Sequence, residues 1–315
     1  MSMNLIEFVK NFPDEESCKR KWREIRGGQG VVCPKCGCTE HYWKNDKQSF
    51  ECKHCGHRQG LKADTIMHGS RLPFRYWFTA MHQLTSTENS FSASEIQRQL
   101  GHKYYGPIWA MVHKLRDAMG KRDDRYMLDG ELEIDEGFFT VDVEDEGTPL
   151  KRGRGRQRKC AVLVMAESEK KELSDKDRKK GMKERKVGHI KMKAVGNLKA
   201  ATIDGNVKQF VPGESVIDSD ASTSYVNLKD IVKEHRPQVI PKKEIGKVLP
   251  WVHIAIGNAK RLLLDFHHAT SPEHLQSYPN EFCYKFNRRY FGDRLFDRLL
   301  GASVTVKNEF RCRIR

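Results

Sequence analysis

The chain has 315 residues, with 57 Lys and Arg against 42 Asp and Glu, a formal net charge of +15 and a pI near 9.4. That balance favours a polyanionic partner, nucleic acid or an anionic surface. No apolar run approaches the ~20 residues that a membrane helix needs, and the start MSMNLIEFVK lacks the basic and apolar regions of a secretory signal, so the expected compartment is the cytoplasm. Nine cysteines in such a chain read as metal ligands and free thiols, not as a disulfide framework.

Residues 1–26 are expected to form an N-terminal helix, with Pro13, Asp14, Glu15 and Glu16 marking a helix start. Its face would carry Cys18, Trp22 and Ile25. A small module follows at 27–62. It contains Cys33-Pro-Lys-Cys36 and Cys52-Lys-His-Cys55, two C-x2-C knuckles separated by 15 residues. That spacing fits a four-cysteine Zn²⁺ site, a zinc ribbon. Gly37 and Gly56 follow the knuckles where the backbone needs freedom. Cys38 is off register; Cys18, Cys160, Cys283 and Cys312 read as packing residues.

Residues 63–125 read as helical. Phe74, Trp77, Phe78 and Met81 recur at helical spacing within 73–85. Ser92 to Glu95 fits a capping box for a short helix ended by Gly101. Pro107 opens a third helix with Ile108, Met111, Val112, Leu115 and Met119 on one face. On a basic chain this pattern fits a helix-turn-helix for DNA; a plain helical linker has the same pattern.

From residue 131 the texture is α/β. Strands are expected at 131–141, 161–165, 190–195 and 216–218, and helices from Pro250 to about 300, giving a domain over 126–302 and a tail at 303–315. Lys151, Arg152, Arg154 and Arg156 make a dense basic loop, either a solvated tip or a phosphate contact. The segment 168–186 is rich in lysine and suggests no role. Asp135 ends the first strand and Asp220 follows the fourth. Two such carboxylates can hold Mg²⁺, although acids at strand ends are common without a metal.

Three stretches carry a wider pattern: Glu133-Ile-Asp135-Glu-Gly-Phe-Phe139, Val216-Ile-Asp-Ser-Asp220-Ala-Ser-Thr-Ser-Tyr225, and Leu249-Pro-Trp-Val-His253-Ile-Ala-Ile-Gly-Asn258-Ala-Lys260-Arg261. With Ala63–Arg71, Trp109–Arg116 and His274–Arg289 they resemble, in order, the DDE-type insertion-sequence transposases with an N-terminal zinc ribbon, of the Asp-Asp-Asn-Lys type. The resemblance implies a ribonuclease-H-like catalytic domain, a mixed five-stranded sheet with helices on both sides. It implies DNA strand cleavage and transfer on terminal inverted repeats and target DNA. Structural Zn²⁺, catalytic Mg²⁺ or Mn²⁺, and a dimer or larger assembly on DNA in a bacterial nucleoid are also implied.

Asp135, Asp220, Asn258 and Lys260 would be the catalytic set, with Arg261 beside them for DNA. Asp218 and Glu136 are near misses. No Glu lies in 250–264, and His253 is the rival to Asn258 as third metal ligand. Asn258 could ligate through its amide oxygen but carries no charge. A second reading is a catalytically inactive, transposase-derived DNA-binding protein. A zinc-ribbon transcription or RNA-processing factor would leave residues 131–300 unexplained.

Overall fold

The computed structural model describes residues 3–87, 89–142, 158–172, 184–239, 248–266 and 270–310. They form two compact units, one of Met1–Arg122 with Arg288–Arg315, the other of Asp123–Asn287.

In the first unit, the single helix expected at the start is two: α1 (Leu5–Asn11) and α2 (Glu15–Gln29). Pro13 cannot continue a helix from its preceding turn, and Asp14 starts a new one, accepting from the Ser17 amide at 2.8 Å. Buried Trp22 on α2 donates to the Leu61 carbonyl at 2.9 Å, and Arg26 donates to the Gly60 carbonyl at 2.7 Å. These bonds tie α2 to the end of a three-stranded antiparallel sheet, β1 (His41–Lys44), β2 (Ser49–Cys52) and β3 (Arg58–Gly60).

Three helices follow: α3 (Phe74–Ser86), α4 (Ala93–Leu100) and α5 (Tyr105–Asp123). Pro73 cannot cap α3 with a side chain, so Glu15 does, accepting from the Phe74 and Arg75 amides at 2.9 Å each. Ser92 caps α4 through the Glu95 amide at 3.0 Å, and Gly101 closes it at φ +62°. The third helix starts two residues before Pro107; a proline in the first turn loses no helical hydrogen bond.

The last helix, expected within the α/β domain, packs in this unit instead. Its buried residues include Leu295, Phe296, Leu299 and Leu300. The Phe296 ring lies 5.6–6.1 Å from those of Phe8, Phe12 and Phe78, and the helix packs on α2 and α3. The tail expected from 303 begins inside that helix (Arg294–Thr305), where the Ser303 carbonyl accepts from Ile66.

The second unit is a five-stranded mixed sheet in the order β6-β5-β4-β7-β8. Its strands are β4 (Glu131–Thr140), β5 (Lys159–Lys170), β6 (Arg185–Val195), β7 (Val216–Asp220) and β8 (Glu234–Gln238). The first three are antiparallel neighbours; β7 and β8 run parallel to β4. On one face, Leu132, Ile134, Leu163 and Met165 pack with Ile203, Val207 and Phe210 of α6 (Ala200–Phe210). On the other, Phe139, Val162, Val164 and Met192 pack with α7 (Pro250–Phe266) and α8 (Ser277–Asn287). Period-two alternation on β4 and β5 serves both faces at once. The architecture is ribonuclease-H-like. Strand β8 and helix α6 were not placed along the chain, although Ile203, Val207 and Phe210 of α6 stand at helical spacing.

The exposed edge of β6 is paired by side-chain amides. Asn287 accepts from the Ile190 amide and donates to its carbonyl (2.8 and 2.9 Å), and Gln276 bonds Met192 and Ala194 in the same way. A bulge in the β5–β6 ladder falls between Ala166 and Ser168. There the buried Glu167 carboxylate accepts from the amides of His189 (2.6 Å) and Asp129 (3.0 Å). Burial pushes this acid up, but the bonds from His189 and Asp129 prevail and hold it below its ordinary value of 4.5.

A carboxyl group held low stabilises the fold fully above its unfolded pKa. That contribution fades as pH falls from about 4.5 through the folded value. Glu167→Gln is expected to cost about 1–3 kcal/mol at pH 7 and to flatten the acid side of the stability curve, as urea unfolding at pH 7 and below pH 4.5 would measure.

Candidate active site and metal centre

The four expected zinc ligands come together. One Sγ from each of Cys33, Cys36, Cys52 and Cys55 lies within 4.8 Å of the others. The Cys33–Cys55 and Cys36–Cys52 sulfurs are each 3.5 Å apart. That is far beyond a disulfide bond of about 2.05 Å and near the ~3.8 Å edge of a tetrahedron with ~2.3 Å Zn–S bonds. Gly37 and Gly56 stand at φ +73° and +69°, and their amides close each knuckle onto the Cys33 and Cys52 carbonyls. The Cys55 amide draws the Cys52 thiol down to about 6. The donor set fits a closed structural zinc site. Cys38 stays outside it, accepting from the Glu40 amide.

In the second unit, β4 and β7 are parallel neighbours, and Ile134–Ser219 is the last pair of their ladder. The next residues are Asp135 and Asp220, so the two carboxylates stand side by side where β7 ends. Carboxyl ends of parallel strands are where open α/β sheets leave a crevice. Glu136 joins them: one oxygen from each of Asp135, Glu136 and Asp220 lies within 4.8 Å of the other two. Asp218 is not in this group; its Oδ1 faces the Gln238 amide at 3.5 Å.

Burial pushes Asp135 upward. Burial first, then the charges of Asp135 and Asp220, push Glu136 up to about 7. Tyr225, five residues past Asp220, is fully buried, and burial with the charges of these acids keeps its phenol protonated. Three crowded acids are unfavourable without a cation. Their hard oxygen donors fit Mg²⁺ or Mn²⁺.

Helix α7 lies along β4 in register. Its first turn is held by Glu133, whose Oε2 accepts from the Trp251 (2.7 Å) and Val252 (3.2 Å) amides. Burial raises Glu133 to about 7. Gly137 lets the helix approach: a Cβ there would lie 3.2 Å from Ile256 and 3.0 Å from the Phe139 ring. Gly137→Val is therefore expected to destabilise the second unit by about 1–3 kcal/mol, seen as a lower midpoint in thermal melts.

The register sets His253 against Asp135, with Nδ1 3.5 Å from Oδ2. Burial lowers the His253 pKa. Lys260, two turns on, is half-buried with Nζ 5.8 Å from the Phe139 ring centre; burial and Lys159 lower its pKa while Asp135 opposes them. Asn258 is exposed, as is Arg261. Lys151, Arg152, Arg154 and Arg156 lie outside the described residues, as do His267 and His268. Sequence reasoning passed over Glu133, although an acid two residues before Asp135 shares its strand face.

The family model for the ISXO2-like transposase domain matches residues 127–287, just over half of the chain, and that for the transposase zinc-ribbon domain matches residues 13–58. No curated protein sequence matches significantly. Two solved structures share remote similarity, the Mos1 strand transfer complex (12% identity, TM-score 0.28) and a pre-cleavage Mos1 transpososome (11%, 0.27). Each covers 78% of this chain and 82% of its own, and at such scores neither bears on the argument. The 127–287 match spans both strands and the helix that build the acidic crevice, and the chain belongs to the ISXO2-like transposases, here headed by a zinc ribbon.

Proposed function

We propose that the protein is an active DNA transposase that binds the terminal inverted repeats of its element, cuts DNA strands and joins them to a target. The observation that carries this reading is the cluster of Asp135, Glu136 and Asp220 at the end of β7. A transposase-derived protein that only binds DNA has no use for three mutually repelling, half-buried acids.

Asp135 and Asp220 would hold the catalytic Mg²⁺ or Mn²⁺, with Glu136 completing the anionic wall. Such ions activate the attacking oxygen and stabilise the leaving one. Water first attacks the phosphorus at the element end; the P–O3′ bond breaks, leaving a 3′-hydroxyl and a 5′-phosphate. That 3′-hydroxyl then attacks a target phosphodiester, forming a new P–O bond and releasing the target's own 3′-hydroxyl. Lys260 and Arg261 suit contact with the phosphates and the charge that grows on them.

The zinc ribbon and the α4–α5 pair would recognise the element ends, while Lys151, Arg152, Arg154 and Arg156 would add backbone contacts that weaken with salt. Two element ends call for a dimer or larger assembly, working on nucleoid DNA in a prokaryotic cytoplasm. Among the described residues no helix is long and apolar enough to cross a membrane.

The test is to mix the purified protein with DNA carrying the ends of its element, in Mg²⁺ or Mn²⁺. Nicked and joined products are expected. Tight binding with no cutting under either metal would overturn the enzyme reading in favour of the DNA-binding one.

A further inference from the structure

We propose that His235 is a positioning residue for Asp220, acting through Ser219 from the opposite face of the sheet. This rests on the transposase reading above and adds to its site two residues that stand behind the reacting groups.

Strands β7 and β8 run in parallel, with Ile217 opposite His235 and Asp220 opposite Gln238. Side chains alternate between the two faces of a strand. Asp218 and Asp220 therefore share one face, while Ile217 and Ser219 point to the side of α6, where Ile217 packs in one cluster with Ile203 and Val207. His235 shares the face of Ile217, and its Nε2 stands 2.7 Å from Ser219 Oγ. Ser219 is fully buried. The pair lies on the reverse of the strand that ends in Asp220, away from the crevice in which a phosphodiester would react.

A serine hydroxyl has one proton. Ser219 Oγ donates it to the Asp220 carbonyl, 2.8 Å away. The same oxygen therefore accepts from His235, and that bond assigns the imidazole proton to Nε2. Activation of a nucleophile needs a base that accepts its proton. Here the histidine donates and the serine is buried, so the pair is not a hydrolytic Ser–His couple.

Asp220 lies one residue beyond Ile134–Ser219, the last pair of the β4–β7 ladder, so regular pairing holds it from β8 alone. Two further bonds fix it. The Ser222 amide donates to its Oδ1 at 3.1 Å, and the Ser219 hydroxyl holds its carbonyl. A serine side chain has three staggered positions. The bond from His235 selects the one that reaches the carbonyl, and with it the place of the carboxylate.

The experiment compares His235→Leu, His235→Gln and Ser219→Ala in the full-length protein. A glutamine amide places an N–H donor near the position of Nε2, and leucine has none. Cleavage of element-end DNA in Mn²⁺ gives turnover and KM. Loss of the free-ion electron paramagnetic resonance signal gives Mn²⁺ affinity without DNA. His235→Leu is expected to lower turnover by about tenfold or more at unchanged KM and to weaken Mn²⁺ binding by about tenfold. Ser219→Ala should do the same, while His235→Gln, which keeps the donor, should stay within about threefold of the wild type in both. Thermal melting confirms that each variant is folded. If His235→Leu does not fold, Ser219→Ala against His235→Gln carries the same comparison.

Wild-type turnover and Mn²⁺ affinity in His235→Leu, with only the melting temperature lowered, would overturn the assignment and leave a structural pair. Equal losses in His235→Leu and His235→Gln would overturn it as well, as would a raised KM at constant turnover, which points to a DNA contact. A wild type that binds Mn²⁺ but cuts no DNA would instead overturn the transposase reading, and the Mn²⁺ affinities would still decide the role of His235. Unchanged Mn²⁺ binding in Asp220→Ala would overturn the metal site and the positioning role together.

Discussion

Asp135→Asn and Asp220→Asn are each expected to lower DNA cleavage and strand joining by roughly three orders of magnitude, the rate equivalent of several kcal/mol of lost metal-centred stabilisation. Asparagine preserves the size of the side chain and one oxygen, so the effect isolates the charge. Asp220 ends β7 and Asp135 stands beside it on β4, and each faces the other and Glu136. Replacing either by a neutral amide removes repulsion within the metal-free site. The metal-free variants should therefore melt at the wild-type temperature or slightly above it, although they are catalytically impaired. Binding to the element ends, measured by gel shift without divalent ions, should persist. Cleavage at wild-type rates in either variant would sink the two-aspartate mechanism. A large fall in melting temperature would point to a structural role instead.

Removal of zinc should have the second largest effect. The ribbon has strands of four, four and three residues, too little to bury a self-sufficient core. Its four sulfurs are already within 4.8 Å of one another, and repelling thiolates cannot stay there without a cation. A structural site of this kind draws about 10–16 kcal/mol of apparent binding energy from the metal. Cys52→Ser, or incubation with a strong chelator, is expected to take the zinc content from about one per chain to near none and to abolish amide protection in β1–β3. The loss should spread to Trp22, whose indole N–H is bound to the Leu61 carbonyl just after the ribbon, giving a fluorescence change. Element-end binding should fall with it. A zinc-free protein with its β1–β3 amides still protected would show that the ribbon folds without metal.

Much of this was legible in the chain. The C-x2-C pairs are local motifs whose geometry is built by a few adjacent residues, so spacing alone implied the cluster that the four sulfurs form. The strand at 161–165 declared itself through an apolar, β-branched run, because both faces of the sheet are covered there, and that at 131–141 through alternation. Asp135 and Asp220 lie among other acids, Glu131, Glu133, Glu136 and Asp218, and were singled out by the ordered motifs around them. Glu136 was harder to weigh. Neighbours on a strand normally point to opposite faces, and only the end of β7 beside it leaves its carboxylate free to reach Asp220. The last helix was assigned to the α/β domain because it follows in sequence; its partners are Phe8, Phe12 and Phe78, nearly the length of the chain away.

By itself, the sequence singled out the four clustered cysteines, four strands of the ribonuclease-H-like sheet and the two aspartates, since each follows from local spacing, strand periodicity or an ordered set of motifs. It left Asn258 and His253 as rivals, because five residues of helix separate them and the chain does not say which way a helix is turned. Tertiary structure decided that orientation. Packing of the apolar stripe of α7 on β4, the Glu133 carboxylate at its first turn and the space left by Gly137 fix one rotation of the helix. A helix has one buried face at a time, and burying Val252, Ile256 and Ala259 turns His253 toward Asp135 and Asn258 toward solvent.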